Sequence, residues 1–115
     1  MLHPDLSGVV AASVTPVDAQ LQIDIDRLSH HCENLFSNGC SFISTFGTTG
    51  EGVSLSTEQK IAAMGQMKAA GLSLEKHIPA IMTPTADEAG RMIAAASELG
   101  CRAALGGACL RLDLA

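Results

Sequence analysis

The chain has 115 residues, which suits a single domain, and 47% of them are hydrophobic, which is enough for a buried core. Aromatic residues make up only 3%, with no Trp and no Tyr, so aliphatic side chains and Met must fill that core. The formal charge is −5 and the charged residues are scattered, which excludes a basic stripe along a phosphate backbone, so we expect no nucleic-acid partner.

No apolar run reaches the roughly 18 residues of a membrane span, and the start MLHPDLSG lacks the order of a signal peptide. We therefore expect a cytoplasmic protein with no membrane partner. The cysteines show neither a CxxC pair nor the spacing of a disulfide framework: Cys32, Cys40, Cys101 and Cys109. Together with the neighbouring His30 and His31 they also lack the spacing of zinc ligands, so we predict reduced thiols, no metal and no cofactor.

The first predicted strand is the apolar run GVVAASVT, residues 8–15, which Pro16 ends. A helix follows from Asp24, because apolar residues recur on one of its faces: Ile25, Leu28, Cys32, Leu35 and Phe36. Gly39 is its predicted stop, and CSFISTF, residues 40–46, is the second predicted strand.

The turn GTTGEG, residues 47–52, comes directly after the second strand. A second helix then begins with Ser56 and Gln59 in the reciprocal spacing of a capping box. Its apolar face consists of Ile61, Met64 and Met67, and Gly71 ends it.

The third predicted strand is HIPAIMT, residues 77–83, with Pro79 near its start, where a missing N–H costs least. Thr85 and Glu88 repeat the capping-box spacing, and a third helix extends to Gly100. Its apolar face is Ala89, Met92, Ile93, Ala96 and Leu99. CRAAL, residues 101–105, is the fourth predicted strand.

Strands and helices thus alternate at roughly thirty residues per unit, which is typical of βαβ repeats and implies a parallel sheet. Such a series either stays open as a doubly wound sheet or continues to eight units and closes into a barrel. Periodicity alone does not choose between them. In both architectures functional groups gather beyond the carboxyl ends of the strands, which is where GTTGEG lies.

The GTTGEG turn offers backbone N–H groups beside the adjacent hydroxyls of Thr48 and Thr49, a combination that suits a small anion such as a carboxylate. Its glycine spacing matches neither a Walker loop nor GxGxxG. The alternative is that Gly47, Gly50 and Gly52 only permit a tight turn and that the threonines bond local backbone. The spacing leaves both interpretations open.

Several motifs carry a family resemblance: Val14-Thr15-Pro16-Val17-Asp18, the helix from Asp24 ending in NGC, the strand entering GTTGEG, the LSTEQK helix start and the IPAI strand. On these the chain resembles the dihydrodipicolinate synthase and N-acetylneuraminate lyase family of class I aldolase-like enzymes. The similarity covers nearly all of residues 8–105, and GTTGE is its most specific element.

The resemblance implies an incomplete (β/α)₈ barrel, with the first three βα units and a fourth strand in residues 1–105. It implies a lyase or synthase in which a later lysine forms a Schiff base with a small 2-keto acid substrate, typically pyruvate. Thr48 and Thr49, with the backbone of Gly47, are then expected to bind the substrate carboxylate, and Thr48 is also expected to link to a tyrosine in a proton relay. The full-length family protein is expected to be a homo-oligomer.

Three departures from the family pattern are visible. Gly52 stands where many relatives carry Ser, and the exit MTPTADE is shorter than the expected Gly- and Asn-containing turn. After Leu105 a Val-Val-Pro-Pro-like strand end is expected, whereas residues 106–115 read GGACLRLDLA. Suitable codons read one base later give Val-Val-Pro-Ala-Phe, so we hypothesise a frameshifted tail, which sequencing of the DNA downstream of codon 105 tests.

A full barrel needs about 250 residues, so the Schiff-base lysine and the relay tyrosine are expected to lie outside this chain, which alone should be inactive. Lys60, Lys68 and Lys76 are predicted to be solvated surface residues away from the barrel mouth. His77 is predicted to be structural, and Glu51 to orient the turn by accepting backbone N–H bonds.

Two alternative functions remain. One is an inactive fragment that binds a partner through an open sheet edge, and the other is an open α/β domain that binds phosphate or a carboxylate at GTTGEG. An unfinished barrel exposes a sheet edge and apolar faces, so we expect poor solubility or oligomers. A monodisperse, cooperatively unfolding monomer would contradict that expectation.

Overall fold

The computed structural model describes residues 8–106 and the backbone of residues 111–113. Four short strands lie within them: β1 Val10–Ala12, β2 Phe42–Ser44, β3 Ala103–Leu105 and β4 Arg111–Asp113. The three α-helices are α1 Ile25–Ser37, α2 Thr57–Ala69 and α3 Ala86–Glu98. Single 3₁₀ turns occupy Gly52–Ser54 and Leu74–Lys76. Within residues 8–106 none of these helices has the length and apolar character to cross a membrane.

Four extended segments lie side by side in parallel, as the alternation of elements predicts. β1 pairs with β2, with Ala11 opposite Ile43. Residues 77–81 lie between β2 and β3, because the Ile78 N–H donates to the Ile43 carbonyl at 2.8 Å. On the other side the Ile81 N–H donates to the Leu105 carbonyl at 2.7 Å. The prediction of a parallel sheet is confirmed.

The prediction of a regular third strand at residues 77–83 is wrong. The structure joins it to its neighbours only through isolated parallel bridges, Ile43 with His77 and Ala80 with Leu105. Pro79 has no N–H, which removes a donor on the side that faces β3 and interrupts the ladder there. The segment remains extended and buried, so it still occupies a strand position.

Capping residues explain where the helices begin. Asp24 accepts from the Arg27 N–H at 3.1 Å at the start of α1. Ser56 and Gln59 exchange both bonds of the predicted capping box at the start of α2. Thr85 accepts from the Glu88 N–H at 3.2 Å at the start of α3.

The prediction of a reciprocal capping box at Thr85 is only half right: the Glu88 N–H bonds the Thr85 side chain, but the Glu88 side chain does not bond the Thr85 backbone. The Glu88 carboxylate accepts from the Thr57 hydroxyl at 2.9 Å and from the Thr85 hydroxyl at 3.1 Å. It therefore joins the starts of α2 and α3 instead of returning to the backbone of its own cap.

Apolar side chains fill both faces of the sheet. Between the sheet and the helices lies the larger core, whose most buried members include Leu28, Cys32, Ile43, Phe46, Met64, Met67, Met92 and Ala96. The opposite face carries a smaller cluster of Phe42, Ile78, Ala103 and Leu105. Near β1 large apolar side chains stay exposed, with Val9 at 60% and Val10 at 44%. In the part of the chain that the structure describes, the sheet edge at β1 is thus exposed to solvent.

β4 pairs with β3 in the antiparallel direction, with Ala104 opposite Leu112. Leu105 directs its N–H and carbonyl to residues 79 and 81, so β4 lies on the other side of β3. The predicted division into residues 1–105 and an atypical tail, 106–115, stays a prediction. Residues 1–7, 107–110 and 114–115 lie outside the described residues.

Candidate functional site

An open cleft of about 420 Å³ lies at the carboxyl ends of the parallel segments. Its walls come from all four parallel segments and from the GTTGEG turn. The lining residues are Val10, Ala12, Ser13, Ser44, Gly47, Thr48, Thr49, Gly50, Ala80, Met82, Leu105 and Gly106. The turn therefore lies at the sheet end where the alternation of elements predicts a site.

Thr48 and Thr49 are both exposed and both line this cleft. Within residues 8–106 neither hydroxyl has a hydrogen bond, and the two backbone N–H groups have no acceptor. The alternative in which the threonines bond local backbone is not what the structure shows. Two hydroxyls and two amides remain available to an incoming acceptor, which is the donor set that a carboxylate needs.

The shape of the turn depends on two residues with left-handed backbone, Phe46 with φ 65° and Glu51 with φ 52°. Glycine is required at two other positions by close approach. A β-carbon on Gly50 would lie 2.8 Å from the Ser13 carbonyl oxygen, and one on Gly52 would lie 1.7 Å from that of Phe46. A β-carbon on Gly47 would meet only the Ala80 β-carbon, at 3.5 Å.

Thr15 holds the turn from β1, a role that sequence reasoning missed. Its hydroxyl donates to the Gly50 carbonyl at 2.7 Å, across 35 residues of sequence. Ser13, two residues earlier at the exit of β1, is buried and lines the cleft. The motif Val14-Thr15-Pro16 contributes to the family resemblance, but a hydroxyl at a strand exit does not reveal from the sequence which loop it will reach.

Glu51 does not have the role predicted for it. Its side chain is exposed and makes no capping bond to the 3₁₀ turn Gly52–Ser54 that follows it. The backbone orients the turn instead, since the Glu51 N–H donates to the Thr48 carbonyl at 3.1 Å and the Gly52 N–H to the Gly47 carbonyl at 2.9 Å.

A second cleft of about 470 Å³ lies between the start of α2 and the exit of residues 77–83. Lys60 lines it and is only 1% exposed, so its prediction as a solvated surface lysine is wrong. Its ammonium group donates to the Met82 carbonyl at 2.8 Å. Burial lowers the pKa of Lys60, while the nearby Glu88 carboxylate acts in the opposite direction. Lys68 and Lys76 are exposed, as predicted.

His77 is buried, as expected of a structural histidine, and is not among the residues that line the carboxylate cleft. Its Nε2 pairs with the Thr45 hydroxyl, and its Nδ1 has no partner within the described residues. Burial lowers the pKa of His77 to about 4, which keeps the ring neutral near pH 7. His30 is exposed and His31 half-buried on α1. Within the described ranges no three His, Cys, Asp or Glu residues cluster as metal ligands would.

Comparison with known proteins identifies the same set of relatives by sequence and by structure. A profile described as the Dihydrodipicolinate synthetase family matches residues 5–106. The 4-hydroxy-tetrahydrodipicolinate synthase of Bacillus subtilis is 40% identical over 58 residues, which are 50% of this chain and 20% of that protein. A 2-dehydro-3-deoxy-phosphogluconate/2-dehydro-3-deoxy-6-phosphogalactonate aldolase of Sulfurisphaera tokodaii is 34% identical over 56 residues, 49% of this chain and 19% of that one.

Solved structures agree. Dihydrodipicolinate synthase from Agrobacterium tumefaciens superposes with a TM-score of 0.81 at 31% identity, over 86% of this chain and 34% of that chain. A variant of the 2-keto-3-deoxygluconate aldolase of Sulfolobus solfataricus gives 0.76 at 25% identity, over 87% and 33%.

These neighbours are (β/α)₈ barrels, so the prediction that this chain has the fold of the first part of such a barrel is confirmed. The chain spans about a third of the length of these structures and matches about a fifth of the curated relatives. A profile match over residues 5–106 covers most of the sequence, and the chain therefore belongs to the dihydrodipicolinate synthetase family.

Proposed function

We propose that this chain provides the carboxylate-binding part of a lyase or synthase that acts on a small 2-keto acid such as pyruvate. The observation that carries the proposal is the pair of unbonded hydroxyls on Thr48 and Thr49 in the cleft beyond the strand ends. The names of the matched relatives, synthases and aldolases, support the same class of reaction.

The chemistry follows from the donors. A carboxylate accepts from the hydroxyls and amides of Thr48 and Thr49, with Gly47 leaving room for it beside the backbone. The adjacent keto carbon then points into the cleft, in a fixed orientation for attack by an amine. Thr48 is proposed to serve also in a proton relay, through a tyrosine that this chain does not contain.

The Schiff-base lysine is proposed to lie outside this chain, which alone is then inactive. None of the three lysines is among the residues that line the carboxylate cleft within the described part of the chain. Lys60 directs its amine to the Met82 carbonyl in the neighbouring cleft, and Lys68 is exposed on the same helix. Homo-oligomerisation of the full-length protein and a cytoplasmic location stay predictions.

Titration of the isotope-labelled chain with pyruvate, followed by NMR, tests the proposal. We expect the amide resonances of Thr48 and Thr49 to shift with a saturable dependence on concentration. Thr48→Val and Thr49→Val should each weaken pyruvate binding by about tenfold, the cost of one charged hydrogen bond of about 1.4 kcal/mol. Ser97→Ala, which removes an exposed hydroxyl near the end of α3 and outside this cleft, is the control and should leave the affinity unchanged.

Phosphate and propionate distinguish the ligand classes in the same titration. The proposal predicts that propionate competes with pyruvate, because both carry the carboxylate, and that borohydride with pyruvate leaves every lysine unmodified. Tight phosphate binding with no response to pyruvate would favour the α/β domain that binds phosphate. A borohydride-trapped adduct on any lysine would overturn the placement of the catalytic lysine outside this chain.

The antiparallel pairing of β4 favours a second candidate, the non-catalytic fragment. β4 occupies the side of β3 on which the next parallel strand of a barrel would pair. A chain closed in this way does not continue the sheet in the direction that a complete barrel requires. Co-expression with a complementary segment carrying the rest of a family barrel tests it, since recovery of lyase activity would contradict the non-catalytic candidate.

A further inference from the structure

We infer that Lys60 is a positioning residue, whose ammonium group holds the Met82 carbonyl and thereby fixes one wall of the carboxylate cleft. The inference rests on the proposed function for its consequence in binding. The structural evidence for it is separate from that for the carboxylate site, because Lys60 belongs to α2 and lines the second cleft.

Met82 is the residue that the two clefts share, since it lines both. Its neighbour Ile81 makes the last sheet bond of residues 77–81, with the Leu105 carbonyl. Beyond that bond the chain leaves the sheet toward Pro84. The Lys60 ammonium donates to the Met82 carbonyl at 2.8 Å, so it provides the anchor immediately after the sheet ends.

The anchor is shielded from solvent, because Lys60 is only 1% exposed. A buried ammonium needs a partner for its charge as well as for its protons. The Glu88 carboxylate favours the charged form of Lys60 electrostatically, and two threonine hydroxyls, Thr57 and Thr85, donate hydrogen bonds to that carboxylate.

The second cleft presents few unbonded polar side chains to a ligand. The polar side chains that line it are already hydrogen-bonded within the chain, namely Ser56, Thr57, Lys60, Thr83 and Glu88. An incoming ligand would have to break these bonds before it gained any. The arrangement is better suited to holding the strand exit than to recognising a small molecule.

Lys60→Met tests the inference, because it keeps the length and apolar stem of the side chain and removes the ammonium group. Lys68→Met makes the same replacement at an exposed position of the same helix and is the matched control. In the ligand-free chain we expect Lys60→Met to shift the ¹³C resonance of the Met82 carbonyl and the amide resonances of residues 47–49. Lys68→Met should leave both sets unchanged.

Pyruvate affinity provides the second measurement. We expect Lys60→Met to weaken binding at least threefold, and Lys60→Arg, which retains a donor and a charge, to stay within twofold of the wild type. Thermal unfolding is recorded for each variant. If Lys60→Met does not fold, Lys60→Gln takes its place, with the same expected direction.

A lower melting temperature with unchanged Met82 and turn resonances and unchanged affinity would overturn the inference, because Lys60 would then only stabilise the fold. If the wild-type chain does not bind pyruvate, the proposed function fails. The ligand-free resonances of Met82 and of residues 47–49 still decide the inference in that case.

Discussion

The carbonyl oxygen of Phe46 lies 1.7 Å from the point that a β-carbon on Gly52 would occupy. Phe46 is fully buried and has left-handed backbone, φ 65°, which turns its carbonyl toward the end of the GTTGEG turn. The Gly52 N–H also donates to the Gly47 carbonyl at 2.9 Å, so the turn is closed upon itself there. The backbone at Gly52 is thus packed directly against the strained residue Phe46.

Gly52→Ala should destabilise the chain by about 3 kcal/mol or more, because backbone cannot move aside as a flexible side chain does. Urea denaturation measures the change. Gly47→Ala is the control, since a β-carbon there meets Ala80 at an ordinary contact distance of 3.5 Å and should cost less than about 1 kcal/mol. Equal stability of the two variants would show that the turn relaxes at little cost.

Leu21 is a position where backbone strain can be removed by substitution. It has φ 62°, a left-handed conformation that costs a branched side chain about 1 kcal/mol, and it is 72% exposed, so it gains little from burial. Leu21→Gly should raise the free energy of unfolding by about 0.5 to 1 kcal/mol. Leu21→Ala keeps the strain and should change it little. Denaturation curves for the pair give the answer, and a loss of stability in Leu21→Gly would mean that Leu21 makes contacts worth more than its strain.

The starts of the helices can be predicted from local sequence, because each capping side chain bonds a backbone N–H only three residues away. Ser56 and Gln59 form the expected reciprocal bonds, and the apolar face of α1 is buried at Leu28 and Cys32. The GTTGEG turn was placed correctly for a similar reason, since a turn after a parallel strand must lie at the carboxyl edge of the sheet.

Non-local contacts could not be predicted. Lys60 lies on a helix whose spacing suggests an exposed position, yet its partner is a carbonyl 22 residues later. Thr15 reaches Gly50 across 35 residues. The loss of regular strand at residues 77–83 depends on which neighbour faces Pro79, and the antiparallel β4 depends on the side of β3 that is free. To predict any of these contacts, one would need to know the relative positions of two segments that are distant in the sequence.

The buried thiols should be nearly inert. Burial raises the pKa of Cys32 and of Cys101 to about 11, and Glu33 adds to the shift at Cys32. At pH 8 only about one thiol in a thousand is then ionised. In a variant carrying Cys40→Ser and Cys109→Ser, we expect a disulfide reagent to label the folded chain at least 100-fold more slowly than the unfolded chain in urea. Similar rates in both states would show that the core opens readily.

His77 should make stability depend on pH. Burial lowers its pKa in the folded chain from 6.5 to about 4, so the unfolded chain takes up a proton at pH values where the folded chain does not. The free energy of unfolding therefore falls as the pH drops from about 6.5 toward 4, by about 3 kcal/mol in total. Above pH 6.5 and below pH 4 this contribution is constant. Urea denaturation at half-unit pH steps measures it.

Carboxylates also titrate at the acid end of this range, so the contribution of His77 is taken from a difference between variants. His77→Gln cannot be protonated and should lose the part of the slope between pH 6.5 and 5, where few carboxylates change charge. His30→Gln removes an exposed histidine and should retain that slope. If His77→Gln keeps the full pH dependence, the ring is solvated in the folded chain and its pairing with Thr45 does not exclude water.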